Sequence, residues 1–418
     1  MTRNTSTTCA ISGGGPAGIM LALLLARAGI DVTVLEKHGD FLRDFRGDTV
    51  HPSTLDLLDE LGLVDELYAM PHRKIDDLAI GTATETIVRA DLNKLPGPHR
   101  HIAMIPQWDF LNLLTEHARR YPGFHLLMNA ESTGLIEENG AVRGIRYRDD
   151  EGEHELRSVL TVAADGRHSA LRDAARLPLV DFGAPMDVMW LRVRREETDP
   201  SGLNGRIGTG AMVAAIDRGD YWQIAYLIAK GAQEEVRSAG IERFQERLLD
   251  LLPFLGERVR EIDGWERVAF LQVGLNRLSQ WYRPGLLCIG DAAHTMTPVG
   301  GVGINLAVQD AVATANLLAD ALRRAQSDPA RFDRTLNPAL LARVQRRRWL
   351  PTVGTQGVQQ LLQRQIIGRA LAEQEAVPPA LKVIVGTQAW SRLVARVMMY
   401  GIRPEHVHTP EAPTDAAT

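Results

Sequence analysis

The sequence is poor in cysteine, and this excludes several kinds of chemistry. Only two cysteines occur among 418 residues, Cys9 and Cys288, and each lies in a short apolar run that predicts a buried strand. Without a CxxC pair the chain has neither a redox dithiol nor a zinc-knuckle spacing. It also has no HExxH, no GxSxG and no cluster of cysteines and histidines. We therefore expect no metal site and no metal-dependent or serine hydrolase activity.

An excess of basic residues and a long hydrophobic segment are missing as well. The 47 basic and 52 acidic residues give a formal net charge of −5, so nothing favours a nucleic acid as partner. The longest apolar helical run, Ile19 to Ala26, is too short to span a bilayer. The polar N-terminus lacks the apolar core of a signal peptide. We expect a cytoplasmic protein that binds neither nucleic acid nor membrane.

The N-terminal part of the sequence has the pattern of a βαβ unit. A strand that ends at Ser12 is followed by a glycine-rich turn and by a helix from Ile19 to Ala28, which Gly29 ends as a C-cap. The β-branched segment from Asp31 to Leu35 predicts the second strand. Rossmann-type domains begin in this way.

The texture of the sequence changes between about Val180 and Leu275, where segments rich in β-branched and aromatic residues predict a second, mainly antiparallel sheet. The apolar run Leu286 to Ile289 again predicts a buried strand of the first type. Helices are predicted from Ile304 to Arg324 and over most of the remainder to about Ile402.

A glycine-rich turn, GxGxxG from Gly13 to Gly18, lies between the first strand and its helix. Glycines let the backbone approach a pyrophosphate, and the helix N-terminus favours an anion. Glu36 ends the second strand, where a carboxylate accepts hydrogen bonds from ribose hydroxyls and disfavours a 2′-phosphate. These features predict FAD or NAD rather than NADP at this site. The residues assigned to it are Gly13, Gly15, Pro16, Ala17, Gly18, Glu36 and Lys37.

A second motif decides between the two dinucleotides. Gly290 and Asp291 follow a predicted strand, and a glycine-rich stretch then opens a long helix. An NAD dehydrogenase has no use for this second turn, whereas the ribityl hydroxyls of a flavin need an acceptor such as Asp291. Backbone N–H groups at the helix N-terminus suit the polar edge of the flavin ring. The alternative is an N-capping aspartate before a glycine loop. The residues assigned to the flavin are Gly290, Asp291, Pro298, Gly300, Gly301, Gly303, Ile304 and Asn305.

A third motif, Asp165-Gly166 with Arg172 after it, also follows an apolar strand. The three blocks in this order resemble the class A flavoprotein monooxygenases, the relatives of para-hydroxybenzoate hydroxylase, from Thr8 to about Ala321. The resemblance implies that Asp165 and Arg172 lie near the FAD pyrophosphate and the docking place of the nicotinamide cofactor. It also implies FAD contacts for Arg46 and Gln107. Ala170-Leu171 departs slightly from the family, which more often has a valine before the arginine.

The resemblance implies that the protein is a monooxygenase with bound FAD, which NADH or NADPH reduces. O₂ then forms a flavin C4a-hydroperoxide that hydroxylates an aromatic or polyketide-like small molecule. Pro298, Gly300 and Gly301 are expected beside the reacting ring. A reductase or oxidase that inserts no oxygen, and a flavin-binding sensor or carrier without catalysis, remain as alternatives. The sequence leaves open the substrate, NADH versus NADPH, and whether the protein is a monomer or a homodimer.

Substrate contacts are expected from the β-rich segment, although in a strand only every second residue faces one side. His51, His72, His99 and His101 could also line the pocket as bases, or could be surface or hydrogen-bonded histidines. The candidate substrate contacts are Trp190, Arg192, Met212, Trp222, Gln223 and Tyr226.

We therefore predict an α/β protein with a Rossmann-type FAD-binding domain, an inserted, mainly antiparallel β-sheet substrate domain and C-terminal helices. The FAD-binding domain is predicted at 1–75, 106–178 and 276–325, and the substrate domain at 76–105 and 179–275. The helical region covers 326–402, and 403–418 is expected to be a disordered tail rich in proline, threonine and alanine.

Overall fold

The computed structural model describes residues 5–42, 48–82, 86–208, 210–328, 330–334, 336–372 and 387–412. The strands in this part of the chain are β1 Ser6–Ser12, β2 Val32–Leu35, β3 Thr49–Val50, β4 Arg73–Ile75, β5 Asp77–Gly81, β6 Thr86–Asp91, β7 Ile102–Met104, β8 Phe124–Leu127, β9 Glu131–Glu138, β10 Ala141–Asp149, β11 Gly152–Ala163, β12 Leu179–Asp181, β13 Met186–Arg194, β14 Leu203–Gly208, β15 Ala211–Asp217, β16 Tyr221–Ala229, β17 Ala269–Leu271, β18 Asn276–Leu278, β19 Tyr282–Arg283, β20 Leu286–Cys288 and β21 His294–Thr295.

The helices of the same residues include two long ones near the C-terminal end. They are α1 Pro16–Arg27, α2 Pro52–Glu60, α3 Val64–Ala69, α4 Gln107–Ala118, α5 Ala170–Ala174, α6 Gln233–Ser238, α7 Ile241–Leu251, α8 Gly303–Gln326, α9 Pro338–Leu362, α10 Gly368–Leu371 and α11 Gln388–Tyr400. A π-helical turn, Gln363–Ile367, joins α9 to α10.

A central sheet of eight strands is parallel in its core. Its order is β19-β20-β11-β1-β2-β8, and β9 and β10 continue from the first half of β11. Strands β20, β11, β1, β2 and β8 all run parallel. The helices α1 and α8 pack against each other beside β1, so its residues from Thr7 to Ile11 are fully buried. The prediction of an α/β fold is confirmed.

Both cysteines lie in this core, Cys9 in β1 and Cys288 in β20, and neither side chain is exposed. Burial raises the pKa of both thiols. Because a thiol that stays protonated is a poor nucleophile, the two residues act as small hydrophobic side chains.

A second sheet has seven strands in the order β17-β13-β16-β15-β14-β5-β6. Neighbouring strands are antiparallel except β14 and β5, which are parallel. Helices α6 and α7 follow β16, within a segment for which the sequence predicted strands. Phe244 and Leu248 are four residues apart on α7 and bury its apolar stripe against the sheet. Two small sheets, β12-β18-β21 and β3-β7-β4, complete the strands of the described residues.

The long helix α8 runs through the core, in contact with α1 and α9. By length and hydropathy Val299–Gln326 is the one described stretch that could cross a membrane, and 83% of its most apolar window is buried inside the protein. Its apolar residues therefore serve the core of this fold.

The prediction of a disordered tail from Arg403 is wrong for residues 403–412, which pack along the surface of the central domain. Glu405 is buried and pairs with the guanidinium group of Arg347, with Nε–Oε1 at 2.7 Å. The backbone N–H of Ala412 donates to the carbonyl of Arg27 at 2.8 Å. Composition suggested disorder, but these polar contacts with distant residues order the segment. Residues 413–418 lie outside the described residues.

Candidate functional site

The three sequence motifs meet at one edge of the central sheet. Ser12 of β1 pairs with Ala163 of β11, and Ala163 pairs with Cys288 of β20. The glycine turn, the Asp165-Gly166 turn and the Gly290-Asp291 turn therefore leave the carboxyl ends of three adjacent parallel strands. Ligands of open α/β sheets bind outside this edge.

Glycine is required at two of these turns because the backbones approach closely. Gly13 has a φ of +102°, and a methyl group there would collide with the carbonyl oxygen of Ala164. A Cβ on Gly290 would lie 3.2 Å from Cβ of Ala17 and 3.3 Å from Cβ of Ala307. The Gly290 turn is thus held between the N-terminal turns of α1 and α8, so the first and second motifs form one site.

The acidic residue at the end of β2 faces the glycine turn. The carboxylate of Glu36 is nearly buried and accepts a hydrogen bond from the backbone N–H of Gly14 at 2.9 Å. Its other oxygen lies 2.7 Å from Nδ1 of His38. Lys37 is exposed beside it. The orientation of Glu36 suits an acceptor for the ribose that follows a pyrophosphate.

The DG motif places an unsatisfied acceptor beside the glycine turn. Oδ2 of Asp165 accepts the backbone N–H of Leu171 at 3.3 Å, while Oδ1 is buried with no partner among the described residues. Burial raises the pKa of Asp165, although hydrogen bonds from Ser169 and Leu171 oppose the rise. Arg172 is buried and donates to the carbonyl oxygen of Arg167 at 3.1 Å. A ligand that donates a hydrogen bond would satisfy Oδ1 of Asp165.

The loop before α8 is the other end of the site. Gly300 and Gly301 both have positive φ, at +78° and +63°, and Thr49 donates to the carbonyl of Gly301 at 3.0 Å. The first-turn N–H groups of a helix have no acceptor within the helix, so those of Gly303 to Asn305 are available to a ligand. The side chain of Asn305 is not available, because it bonds to Thr54 and to the carbonyl of Met399.

Three glutamines of α9 and the π-helical turn hold this loop, and the sequence analysis missed them. Gln359 donates to the carbonyls of Thr297 and Val299 at 3.0 and 2.8 Å. Gln363 donates to the hydroxyl of Thr297 at 2.6 Å, and Gln356 to the carbonyl of Thr295 at 3.3 Å. All three glutamines are buried. The sequence signal was a polar stripe at helical spacing on α9, which is normally interpreted as an exposed face.

A buried charge network lies behind the Gly290 turn. Nε2 of His294 donates to Oδ2 of Asp310 at 2.6 Å, and the same oxygen accepts the N–H of Gly290 at 3.0 Å. Nε of Arg348 donates to Oδ1 of Asp310 at 2.9 Å. Burial disfavours charge on Asp310, but His294 and Arg348 outweigh it and hold the pKa of Asp310 below its ordinary value.

The remaining predicted flavin contacts have different outcomes. The backbone N–H of Gln107 donates to Oδ1 of Asp48 at 3.3 Å, and Oδ2 of Asp48 pairs with Arg218 at 3.1 Å. Asp291 is partly exposed at the mouth of its turn, and its carbonyl accepts the hydroxyl of Thr295 at 3.4 Å. Arg46 lies outside the described residues.

The substrate candidates divide between the two faces of the second sheet. One face, which we call the inner face, carries Trp190, Arg192, Met212 and Gln223. The apolar residues of this face cluster with Val299 of the loop before α8. The expectation for Trp222 and Tyr226 is wrong. They lie on the opposite face, where they are buried against Phe254 and Phe244. Strand alternation separates the two groups.

The four candidate histidines are also divided. His51 is fully buried, donates from Nδ1 to the carbonyl of Met398 at 3.2 Å, and leaves Nε2 without a partner among the described residues. His72, His99 and His101 instead surround the ring of Tyr68, with centroid distances of 5.4 to 5.9 Å. Of the four histidines, His51 is the one linked to the site. It bonds to the carbonyl of Met398, and the side chain of Met398 packs over Gly300.

The residues at this edge fit FAD. A Cβ on Gly15 would meet no atom within 4 Å, so free space lies at the N-terminus of α1 where a pyrophosphate binds. A second helix N-terminus, that of α8, would suit the other end of the same ligand. The buried Oδ1 of Asp165 has no partner among the described residues and Asp291 is partly exposed, so both would suit a ligand that donates hydrogen bonds. A dinucleotide with hydroxyls along its length matches this order of donors and acceptors.

The chain is similar to known proteins in sequence and in fold. The model of the family described as FAD binding domain matches residues 6–334. The 6-methylpretetramide 4-monooxygenase of Streptomyces rimosus is 31% identical over 397 residues, which cover 94% of this chain and 92% of that protein.

Two solved structures share the fold. The p-nitrophenol 4-monooxygenase PnpA from Pseudomonas putida DLL-E4 superposes with a TM-score of 0.74 at 21% identity, covering 96% of this chain and 100% of that chain. PqsL of P. aeruginosa in complex with 2-aminobenzoylacetate gives a TM-score of 0.74 at 20% identity, covering 91% of this chain and 100% of that chain.

Proposed function

The chain belongs to the class A FAD-dependent monooxygenases, and we propose that it uses NADH or NADPH and O₂ to hydroxylate an aromatic or polyketide-like small molecule. The observation that carries this proposal is the position of Gly290, held between Ala17 and Ala307. It unites the glycine turn at the start of α1 with the start of α8 in a single site. The named substrate of the Streptomyces relative supports the polyketide class.

The geometry of the described residues supports a set of proposed cofactor contacts. The glycine turn and the N-terminus of α1 would hold the pyrophosphate, Glu36 the adenosine ribose and Asp291 the ribityl chain. The N–H groups of Gly303 to Asn305 would bond the polar edge of the flavin ring. When bound, FAD supplies the redox chemistry that connects the nicotinamide, O₂ and the substrate.

The protein must also position the ring and keep water away from it. Pro298 and the two positive-φ glycines after it would lie beside the ring, with Gln359 fixing the neighbouring carbonyl groups of Thr297 and Val299. The inner face of the second sheet, whose apolar residues cluster with Val299, would close the other side of the ring. Exclusion of water prevents side reactions of reactive intermediates. We propose that this sheet, with the boundaries predicted above, acts as the substrate domain.

The test is turnover by the FAD-loaded protein with a panel of flat phenols and quinones. We expect NADH or NADPH oxidation and O₂ consumption to rise together when a substrate binds, and a product that carries one atom from isotopically labelled O₂. A product without the labelled atom would instead support a reductase or oxidase.

A further inference from the structure

Two buried polar atoms on the inner face of the second sheet have no partner among the residues that the structure describes. They are Nε1 of Trp190 and Oε1 of Gln223. An indole N–H acts only as a hydrogen-bond donor, and an amide oxygen acts only as a hydrogen-bond acceptor. A buried polar group without a partner carries its full desolvation penalty. A ligand that satisfies both atoms would remove that penalty.

The two atoms lie on adjacent strands. Trp190 of β13 pairs with Ala225 of β16, and Arg192 pairs with Gln223. Trp190 and Gln223 are therefore diagonal neighbours on one face, about 7 Å apart between their Cβ atoms. Ala225 lies beside Ala214 of β15, so small side chains form the floor next to the indole ring. This shape suits a flat molecule.

The inner face meets the proposed flavin site at two places. Val299 of the loop before α8 packs in the same apolar cluster as Trp190. At the other end, burial raises the pKa of Asp48 while the charges of Arg218 and Arg192 oppose the rise, and the Asp48 carboxylate accepts the N–H of Gln107. Ile367 and Ala370 belong to the same apolar cluster. Ile367 belongs to a π-helical turn, a feature frequent at functional sites.

We propose that Trp190 and Gln223 are a specificity pair for a flat polycyclic substrate that carries both an acceptor oxygen, such as a quinone carbonyl, and a hydroxyl group. The carbonyl accepts from Nε1 of Trp190, and the hydroxyl donates to Oε1 of Gln223. A hydrocarbon of the same shape leaves both atoms unpaired, and such a site discriminates strongly against the analogue. This inference rests on the proposed function and names the substrate class more narrowly.

The experiment measures the binding of three probes to the FAD-loaded protein by equilibrium dialysis. All three are measured at the same mildly acidic pH and the same cosolvent concentration, and neither NADH nor NADPH is present. Anthraflavic acid, a dihydroxyanthraquinone, has carbonyl and hydroxyl groups, anthraquinone has only carbonyls, and anthracene has neither. In the unaltered protein, affinity should increase from anthracene to anthraquinone to anthraflavic acid. The reverse order follows hydrophobicity alone and would overturn the pair even if no variant folds.

Two variants assign the atoms. Trp190→Phe should weaken binding of both quinones about tenfold and leave anthracene unchanged. Gln223→Leu should weaken anthraflavic acid alone, again about tenfold. Equal effects on all three probes, or no effect on anthraflavic acid, contradict the proposal.

The matched control is Trp222→Phe, on the opposite face of the same sheet. Nε1 of Trp222 donates to Asp199 at 2.8 Å, so this variant should be less stable while all three dissociation constants stay the same. Trp190→Phe should lower stability less than Trp222→Phe, because it breaks no hydrogen bond. Absence of oxygenation would overturn the proposed function and leave these binding differences in place. Equal dissociation constants for the three probes would overturn only the role of Trp190 and Gln223.

Discussion

Nε2 of His294 lies 2.6 Å from Oδ2 of Asp310, and neither side chain is exposed to solvent. The same carboxylate oxygen accepts the backbone N–H of Gly290, so one buried acid fixes both ends of the Gly290–His294 segment. Arg348 of α9 compensates its charge, and Glu405 of the tail compensates Arg348. The geometry of the Gly290 turn therefore depends on Arg348 and Glu405, which are distant from it in the sequence.

Loss of the Asp310 charge should destabilise the protein strongly. Asp310→Asn leaves the buried guanidinium of Arg348 with less compensation, and breaking a buried pair of this kind costs about 3–5 kcal/mol. The free energy of unfolding in urea measures this loss. Asp320→Asn is the control, since Asp320 forms an exposed ion pair on the same helix and should change stability by less than about 1 kcal/mol. Equal effects of the two variants would refute the role of the network.

Two glycines of the first turn should respond differently to alanine. Gly13→Ala should destabilise the folded chain, because φ at Gly13 is +102° and the methyl group meets Ala164. Gly15→Ala should leave stability within about 0.5 kcal/mol, since its Cβ enters free space, yet FAD affinity should fall at least about tenfold if a pyrophosphate uses that space. Unfolding curves and FAD titration separate the two effects. Full FAD affinity in Gly15→Ala would rule out a pyrophosphate at this position.

His51 should make the protein acid-sensitive. Burial lowers its pKa from 6.5 to about 4, although the hydrogen bond to Met398 opposes the shift. Between these values the unfolded chain binds a proton that the folded chain does not, so stability falls as the pH falls from 6.5 to 4. The loss should reach about 3 kcal/mol.

The measurement is urea unfolding at neutral pH and near pH 4. His51→Gln should lose about 3 kcal/mol less than the unaltered protein over this interval, whereas His408→Gln, at an exposed position, should follow the unaltered protein. A His51→Gln profile parallel to that of the unaltered protein would count against the buried neutral imidazole.

Gln359 should act on the flavin environment through the loop it holds. Gln359→Leu leaves the carbonyls of Thr297 and Val299 without a donor, at a cost of about 1–3 kcal/mol. We expect the loosened loop to shift the visible absorption spectrum of bound flavin and to increase the H₂O₂ released per NADH or NADPH oxidised. Gln360→Leu, the adjacent position, should alter neither. An unchanged spectrum and H₂O₂ yield in Gln359→Leu would show that the loop is held by other contacts.

Errors of sequence interpretation arose where one-dimensional patterns carry too little information. Tail composition predicted disorder, yet Glu405 pairs with Arg347 from a helix more than fifty residues away. The aromatic residues of the second sheet suggested a pocket, but alternation places Trp222 and Tyr226 on the face that packs against α7. Neither partner could be known before the chain was folded, because local pattern does not specify which distant surface covers a face.

The sequence by itself determined the type of ligand and the main elements. Glycine at the turns, an acid after β2 and apolar runs before each motif are local requirements of backbone geometry and burial, so residues close in the chain reveal them. Only the tertiary structure decided which side chains support the site. The parallel order β20-β11-β1 brings three distant turns to one edge, and α9 buries its glutamines on the loop before α8. Such contacts depend on packing between distant segments, so the polar stripe on α9 has helical spacing but does not reveal which segment it packs against.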